Sequence, residues 1–298
     1  MTHYGKRFFS FLNTNKAGIF FCVVFVIVLV GINIAGNALY NNFFIPNYFD
    51  HPVSDNSFSG SDLSSSDCNV TGINIHGDIV TYNPRDAFND QGNLTLDQTS
   101  ADYVTEAVAD AQTKDNIKAI VVEVDSGGGS GMAGEEMMRA FKDSKKPVIA
   151  FIREGGMSAA YLAATGAQTI FASKLSDVGS IGVTMSYLQE AGKNQKEGLS
   201  YVDLSSGKFK DSGNPARLLT KDEKQLFMRD INISYEYFVS LVSQNRNLSI
   251  EKVKALADGS SVMGEQALKD GLVDKIGLLP DVENYISEKI GEKTKICW

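Results

Sequence analysis

The chain has 298 residues, 43% of them hydrophobic and 21% charged, with a net charge of −8. This excludes a disordered chain and allows one large domain or two small ones. The acidic balance excludes the basic surface that a nucleic-acid partner requires, so no nucleic acid is expected.

The N-terminus is different in kind. Residues 1–16 are polar and carry Lys6, Arg7 and Lys16. Residues 17–35 carry no charge, close to the roughly 20 apolar residues that cross a bilayer. No Lys or Arg follows until Arg85. The positive-inside rule then predicts a single-pass inner-membrane protein with residues 1–16 in the cytoplasm, a transmembrane helix over 17–35, and the rest outside. A cleaved signal peptide is the alternative, since Ala35, Gly36 and Ala38 follow the apolar run. Residues 36–70 are rich in Asn, Ser and Asp and read as a linker. A folded domain occupies 71–298.

Within it, residues 72–80 alternate like a half-buried strand. Residues 84–99 read as a loop. Residues 101–113 are a helix with Val104, Ala107, Val108 and Ala111 on one face. The run 117–124 is a β-branched, buried strand, and it leads into Asp125-Ser126-Gly127-Gly128-Gly129-Ser130-Gly131-Met132-Ala133-Gly134. A helix over 135–144 and a strand over 147–152 follow. The chain then reaches Gly155-Gly156-Met157-Ser158-Ala159-Ala160-Tyr161, a strand-to-helix turn. Short strands are predicted at 169–172, 180–183 and 199–204, and a polar loop with Lys208 and Lys210 at 205–214. A long helix over 219–247 opens on a Thr220/Glu223 capping box, and shorter helices follow at 250–257, 264–270 and 280–290. The alternation of strand and helix predicts an α/β fold with crossover βαβ units.

Two features carry chemistry. Ser158 sits where a helix N-terminus supplies amide donors and a positive dipole end, a setting that suits a nucleophile whose attack creates an oxyanion; its other reading is an ordinary N-cap. The glycine loop also reads in two ways. Gly129-x-Gly131-x-x-Gly134, with Glu154 twenty residues on, matches a dinucleotide-binding fingerprint. Alternatively, the 125–129 loop meets the 155–158 turn at one sheet edge, and a glycine amide there joins that of Ala159 as an oxyanion hole. No Cys/His spacing suggests a metal site and no cofactor is expected. With His3, His51 and His76 as the only histidines, a Ser-His-Asp triad is not expected, and His76 reads as structural.

These residues are similar to those of a known family. Asp125-Ser126-Gly127-Gly128-Gly129 resembles the Asn-Ser-Pro-Gly-Gly oxyanion strip of the bacterial signal peptide peptidase A family, relatives of the Clp proteases. Met157-Ser158-Ala159-Ala160-Tyr161 resembles its Ala-Ser-Gly-Gly-Tyr nucleophile segment, and Val178-Gly179-Ser180-Ile181-Gly182-Val183 its Thr-Gly-Ser-Ile-Gly-Val. Ser206-Gly207-Lys208-Phe209-Lys210-Asp211 resembles the lysine segment, followed by Pro215, Arg217 and the helix cap. The motifs run in order over about residues 72–279.

The resemblance implies a Clp/crotonase-like fold and a membrane-anchored serine endopeptidase with a Ser/Lys dyad. It implies Ser158 as nucleophile, Lys210 as base, Ser180 as the residue orienting the lysine, and the amides of Gly129 and Ala159 as oxyanion hole, with Gly128 the nearest competitor. It further implies peptide substrates such as remnant signal peptides, and a ring-like homo-oligomer whose neighbouring subunits complete the substrate groove. A lysine acts as base only when neutral, and burial in an apolar cleft lowers its ordinary pKa near 10.4; the dyad is expected to bring the Ser158 hydroxyl and a lysine amine within roughly 3 Å. Gly127, Ala159 and Ala160 depart from the pattern, which leaves an inactive scaffold of the same fold as the competing class. Finally, Cys68 begins the domain and Cys297 ends it, so in an oxidising compartment a disulfide would tie its ends together.

Overall fold

Aliphatic and β-branched runs form the sheet, and Gly- or Ser-capped amphipathic segments cover it. The computed structural model describes residues 68–298 apart from Arg85, Asp86, Phe88, Asp90, Gln91 and Asn93. The predicted membrane span at 17–35 and nearly all of the linker lie outside the described residues; among the described residues no helix is long and apolar enough to cross a membrane.

In chain order the elements are β1 (Val70–Val80), β2 (Gln98–Ser100), α1 (Ala101–Thr113), β3 (Ala119–Gly129), α2 (Gly131–Lys142), β4 (Val148–Met157), α3 (Ala159–Ala164), β5 (Thr169–Ala172), β6 (Asp177–Gly179), α4 (Ala191–Lys196), α5 (Lys221–Arg246), α6 (Ile250–Leu256), β7 (Ser261–Met263), α7 (Gly264–Asp270), β8 (Lys275–Ile276), α8 (Leu279–Ile290) and β9 (Ile296–Cys297). The main path of the sheet runs β2-β1-β3-β4-β5-β8, with every pair parallel. Parallel neighbours require crossovers, and α1, α2 and α3 supply those of β1–β3, β3–β4 and β4–β5. The chain is therefore α/β, as its alternation predicts.

Both faces of a parallel sheet must be covered, and strand alternation divides the core accordingly. Ile120, Val122 and Val124 of β3, with Ala150 and Ile152 of β4, pack under the faces of α1, α2, α3 and the C-terminal part of α5. The opposite-facing Ala119, Val121, Ile149 and Phe151 meet Val282 and Ile286 of α8. Beyond the reach of α8 that second face turns polar. Here Glu123 is 8% exposed and accepts from Arg153 Nη1 (3.1 Å), and it pairs with His76 Nε2 (3.2 Å). The bond to Glu123 holds the His76 pKa above its ordinary 6.5, against the opposing effect of burial.

β4 changes its neighbour part-way along. Residues 149–152 pair with β5, whereas 155–157 pair with β6, which in turn pairs antiparallel with β7. Register shifts fall in β3 at the same level, between His76 and Asp78 of its partner β1 and between Val124 and Ser126.

Three expectations are corrected. The strand predicted at 180–183 is instead β6 at Asp177–Gly179; positive φ at Gly179 (98°) and Ser180 (47°) turns the chain out of the sheet before Ile181. Residues 199–204 form no strand and are exposed throughout, because no sheet edge lies beside them and a lone strand cannot satisfy its backbone. The glycine strip 125–129 is no loop but the end of β3, and α2 begins at Gly131, capped by the Ser130 hydroxyl.

Cys68 and Cys297 form a disulfide, their Cα atoms 5.9 Å apart and 229 residues apart in sequence. It fastens β9, which pairs with Val70 and Thr71, to the start of β1. A denatured, non-reduced sample is expected to titrate one free thiol per chain. Cys297→Ser should lower stability by about 2–5 kcal/mol in a denaturant titration. A second prediction concerns His76. Because its pKa is raised on folding, its pairing contributes fully below pH 6.5 and is lost as pH rises through the folded value. The melting temperature should fall between pH 6.5 and 8, and His76→Gln should flatten that slope.

Candidate active site

Ser158 lies between β4 and α3 with φ 52° and ψ −124°. This is not the extended conformation of a capping residue. Ser100, Ser130, Thr220 and Ser249 are all extended and accept a backbone N–H three residues on, whereas Ser158 makes no side-chain cap bond. A non-glycine residue in this region costs on the order of 1–3 kcal/mol and persists only where its surroundings hold it. Here the Ser158 N–H donates to Gly179 O (2.8 Å) and the Ser158 carbonyl accepts from Leu162 N–H (3.0 Å). The turn thus lifts the hydroxyl off the helix end and leaves it without a hydrogen-bond partner among the described residues, the arrangement of a nucleophile elbow.

The glycine strip runs beside this turn, as Ser126 pairs with Gly156. Ser126 is 4% exposed; its hydroxyl donates to Gly77 O (2.6 Å) and accepts the Gly128 N–H (3.0 Å). The Gly128 amide is therefore engaged, while Gly129 faces the cavity next to Ser158. Gly128 is close for another reason: a Cβ there would stand 2.8 Å from the Ser158 Cβ, at a φ of 111°. Only glycine allows the strip so near. Gly127, where the resembling family has proline, is exposed with open space around its Cα. Ala159 and Ala160 are buried, and Gly134 makes room for Ala159: a Cβ at 134 would come within 2.6 Å of the Ala159 carbonyl oxygen.

Ser158, Ala159, Gly129 and Ser180 all line one cavity of about 920 Å³. Leu162, Phe238 and Leu241 give it an apolar wall, and Glu135 and Asp258 add carboxylates. Ser180, at φ 47°, donates its hydroxyl to Gly259 O (2.9 Å). That bond, like Glu135 accepting from Tyr237 OH (2.7 Å), joins residues far apart in sequence, and no local spacing signals either.

Lys210 is elsewhere. It does not line this cavity; it sits on an exposed turn closed by its own N–H to Gly207 O (3.0 Å). No hydrogen bond or ion pair engages its ammonium among the described residues. No hydrogen bond joins the Ser158 hydroxyl to the amine of Lys208 or Lys210 among the described residues. Lys208 pairs with Asp222 (2.5 Å). Residues 183–210 leave the body of the domain and expose Met185, Leu188, Leu199, Val202 and Leu204, the last at 94%.

The dinucleotide reading loses its geometric basis. Gly129 backs onto Ile79, where a Cβ would lie 2.3 Å from the Ile79 carbonyl oxygen, and Gly134 is held against α3. The glycines serve contacts between elements. Among the described residues no group of His, Cys, Asp and Glu is arranged to hold a metal ion.

Residues 140–291, just over half of the chain, match the model of peptidase family S49. The span contains Ser158, Ser180 and Lys210 and begins after the glycine strip. A Methanocaldococcus jannaschii protein named as an inferred protease, MJ0651, is 36% identical over 195 residues, 64% of this chain and 63% of that protein. An Enterococcus faecium protein named as an inferred signal peptide peptidase SppA is 32% identical over 176 residues, 58% of this chain and 51% of that protein. The chain thus spans between about half and 63% of the length of these relatives. Among solved structures, a mutant of the 1510-N membrane-bound stomatin-specific protease aligns at 19% identity and TM-score 0.48, over 77% of this chain and 88% of that one.

The strained turn yields a prediction. Ser158→Gly and Ser158→Ala both remove the hydroxyl, but only glycine relieves the positive φ. Ser158→Gly should be the more stable of the two by about 1 kcal/mol in chemical denaturation; equal stability would mean that the turn carries no strain.

Proposed function

The chain belongs to peptidase family S49, and from that premise we propose that it is a membrane-anchored serine endopeptidase that cleaves short apolar peptides near the membrane, remnant signal peptides among them. The observation that carries the reading is the Ser158 turn: an uncapped, strained serine at a helix N-terminus, facing a cavity that an apolar wall and the glycine strip enclose. Ser158 Oγ attacks the peptide carbonyl as a base takes its proton. The developing oxyanion meets the amides of Gly129 and Ala159. The amine leaves with a proton from the same base, and water, activated in turn, hydrolyses the acyl-enzyme.

Lys210 is the base, and it acts in an assembly of copies. Two observations support this: the lysine turn lies off its own cavity, and the segment that carries it presents apolar side chains to the outside, as an arm does that is made to be covered. Ser180, donating to Gly259 O, keeps oxygen lone pairs with which to accept an N–H of the neutral amine. The fold reading goes with this as a Clp/crotonase-like α/β domain. The Cys68–Cys297 disulfide supports an extracytoplasmic domain behind an anchor at 17–35, because such bonds persist in oxidising compartments.

A fluorogenic apolar peptide tests this. Ser158→Ala and Lys210→Ala should each lower kcat/KM at least about 100-fold. An equimolar mixture of the two variants, dissociated and reassembled, should regain activity, since some cavities then receive an intact serine and an intact lysine. Wild type cleaving no better than either variant would leave an inactive scaffold. A mixture as dead as its parts would confine the dyad to one chain.

A further inference from the structure

Lys210 is followed directly by Asp211, and much of the polar contact in this segment converges on that residue. Arg217 Nε donates to Asp211 Oδ2 (3.1 Å) and Arg217 Nη2 to the Asp211 carbonyl (2.8 Å). Tyr201 OH and Asn214 Nδ2 both donate to Asp211 Oδ1 (3.1 and 3.0 Å). The same guanidinium grips Glu223 bidentately, Nη1 to Oε2 (2.9 Å) and Nη2 to Oε1 (2.5 Å), and Nη1 also reaches the Leu218 carbonyl (3.3 Å). One N–H on Nε and two on each terminal nitrogen are thereby all used.

Glu223 is 2% exposed and belongs to the first turn of α5. Its Oε2 also takes the Thr220 N–H (2.8 Å) and hydroxyl (2.7 Å). Arg217 above all, then Thr220, hold its carboxyl well below the usual carboxylate range, so the anchor stays charged at neutral pH. α5 continues into the core through Phe238, Val239 and Val242, and Phe238 and Leu241 face the cavity. A continuous chain of contacts thus runs from the lysine turn through Arg217 and Glu223 to the helix that walls the active site. The Lys210 side chain itself is held by nothing among the described residues, so the backbone of its turn is the only part of it with a defined position.

We propose that Arg217 is a positioning residue for Lys210: by clamping the backbone and carboxylate of Asp211 to Glu223, it fixes the turn that presents the base relative to α5. This rests on the reading of Lys210 as base. Lysine cannot replace it, because a point charge on a flexible stem does not reproduce the planar fork.

The test uses the full chain, the fluorogenic apolar peptide, and wild type, Arg217→Lys, Arg217→Ala, Asp211→Asn and Lys210→Ala, with kcat and KM measured separately across pH alongside melting temperatures. Arg217→Lys should lose about 10- to 100-fold in kcat with KM within threefold, and the acid limb of its profile should move to higher pH as the amine loses its defined site. Guanidinium ion at millimolar concentration should restore part of the activity of Arg217→Ala. Asp211→Asn leaves the Glu223 grip intact, so it should lose kcat with little change in melting temperature, which keeps the question open to decision if Arg217→Ala does not fold. Retained kcat in Arg217→Lys and Asp211→Asn while Lys210→Ala is dead would overturn the positioning role alone, as would losses matching the unfolded fraction with no rescue. Wild-type activity in Lys210→Ala would overturn the base assignment and this inference with it.

Discussion

The site depends on one backbone constraint, the positive φ of Ser158. A serine in extended conformation would fold its hydroxyl onto the helix end, as four other capping residues of this chain do. The departure is held on three sides. β4 delivers the chain from a ladder buried on both faces, the Gly179 carbonyl takes the Ser158 amide, and the Ala-rich first turn of α3 is fully buried behind it. Each neighbour is then shaped by that turn. Gly128 must lack a side chain to lie against Ser158, and Gly134 must lack one to admit Ala159. Strain at Ser158 is thus sustained by close packing around it.

The lysine segment is built on the opposite principle. Serine, strip and Ser180 sit at the carboxyl ends of central strands, where parallel sheets gather ligands. The lysine turn sits on an arm with scarcely any core of its own, braced at its base by one guanidinium between two carboxylates. The centre is rigid and the lysine turn is exposed, and the proposal that copies of the chain complete the site rests on that contrast. At the other end of the domain the disulfide secures β1 and β9 against fraying.

Much of this is legible in the residues. The aliphatic runs at 117–124 and 147–152 are strands because nothing else buries β-branched side chains on two faces so densely. The Thr220/Glu223 box marks the start of α5 through a local bond pattern. The glycine strip is harder to read. Its spacing fits a phosphate loop as well as an oxyanion strip, since both need glycine for the same steric freedom; the register of β3 against β1 and β4 separates them. Leu199–Leu204 is rich in apolar residues and reads as a strand, yet the residues alone do not say whether a partner edge lies beside it, and the segment forms no strand.

The sequence by itself determined the α/β class and the order of the strands' segments, and it offered the Cys68–Cys297 pair as one possible tie, because these follow from local periodicity, composition and position along the chain. Only the tertiary structure decided that Ser158 is uncapped and strained, that Gly128 is bound while Gly129 faces the cavity, and that Lys210 does not line the cavity that Ser158 lines. These depend on which elements lie side by side. A backbone angle at a turn is set by its neighbours in space, and a distance between residues 52 positions apart in the chain is set by the path between them. Neither is encoded in the residues at the two ends.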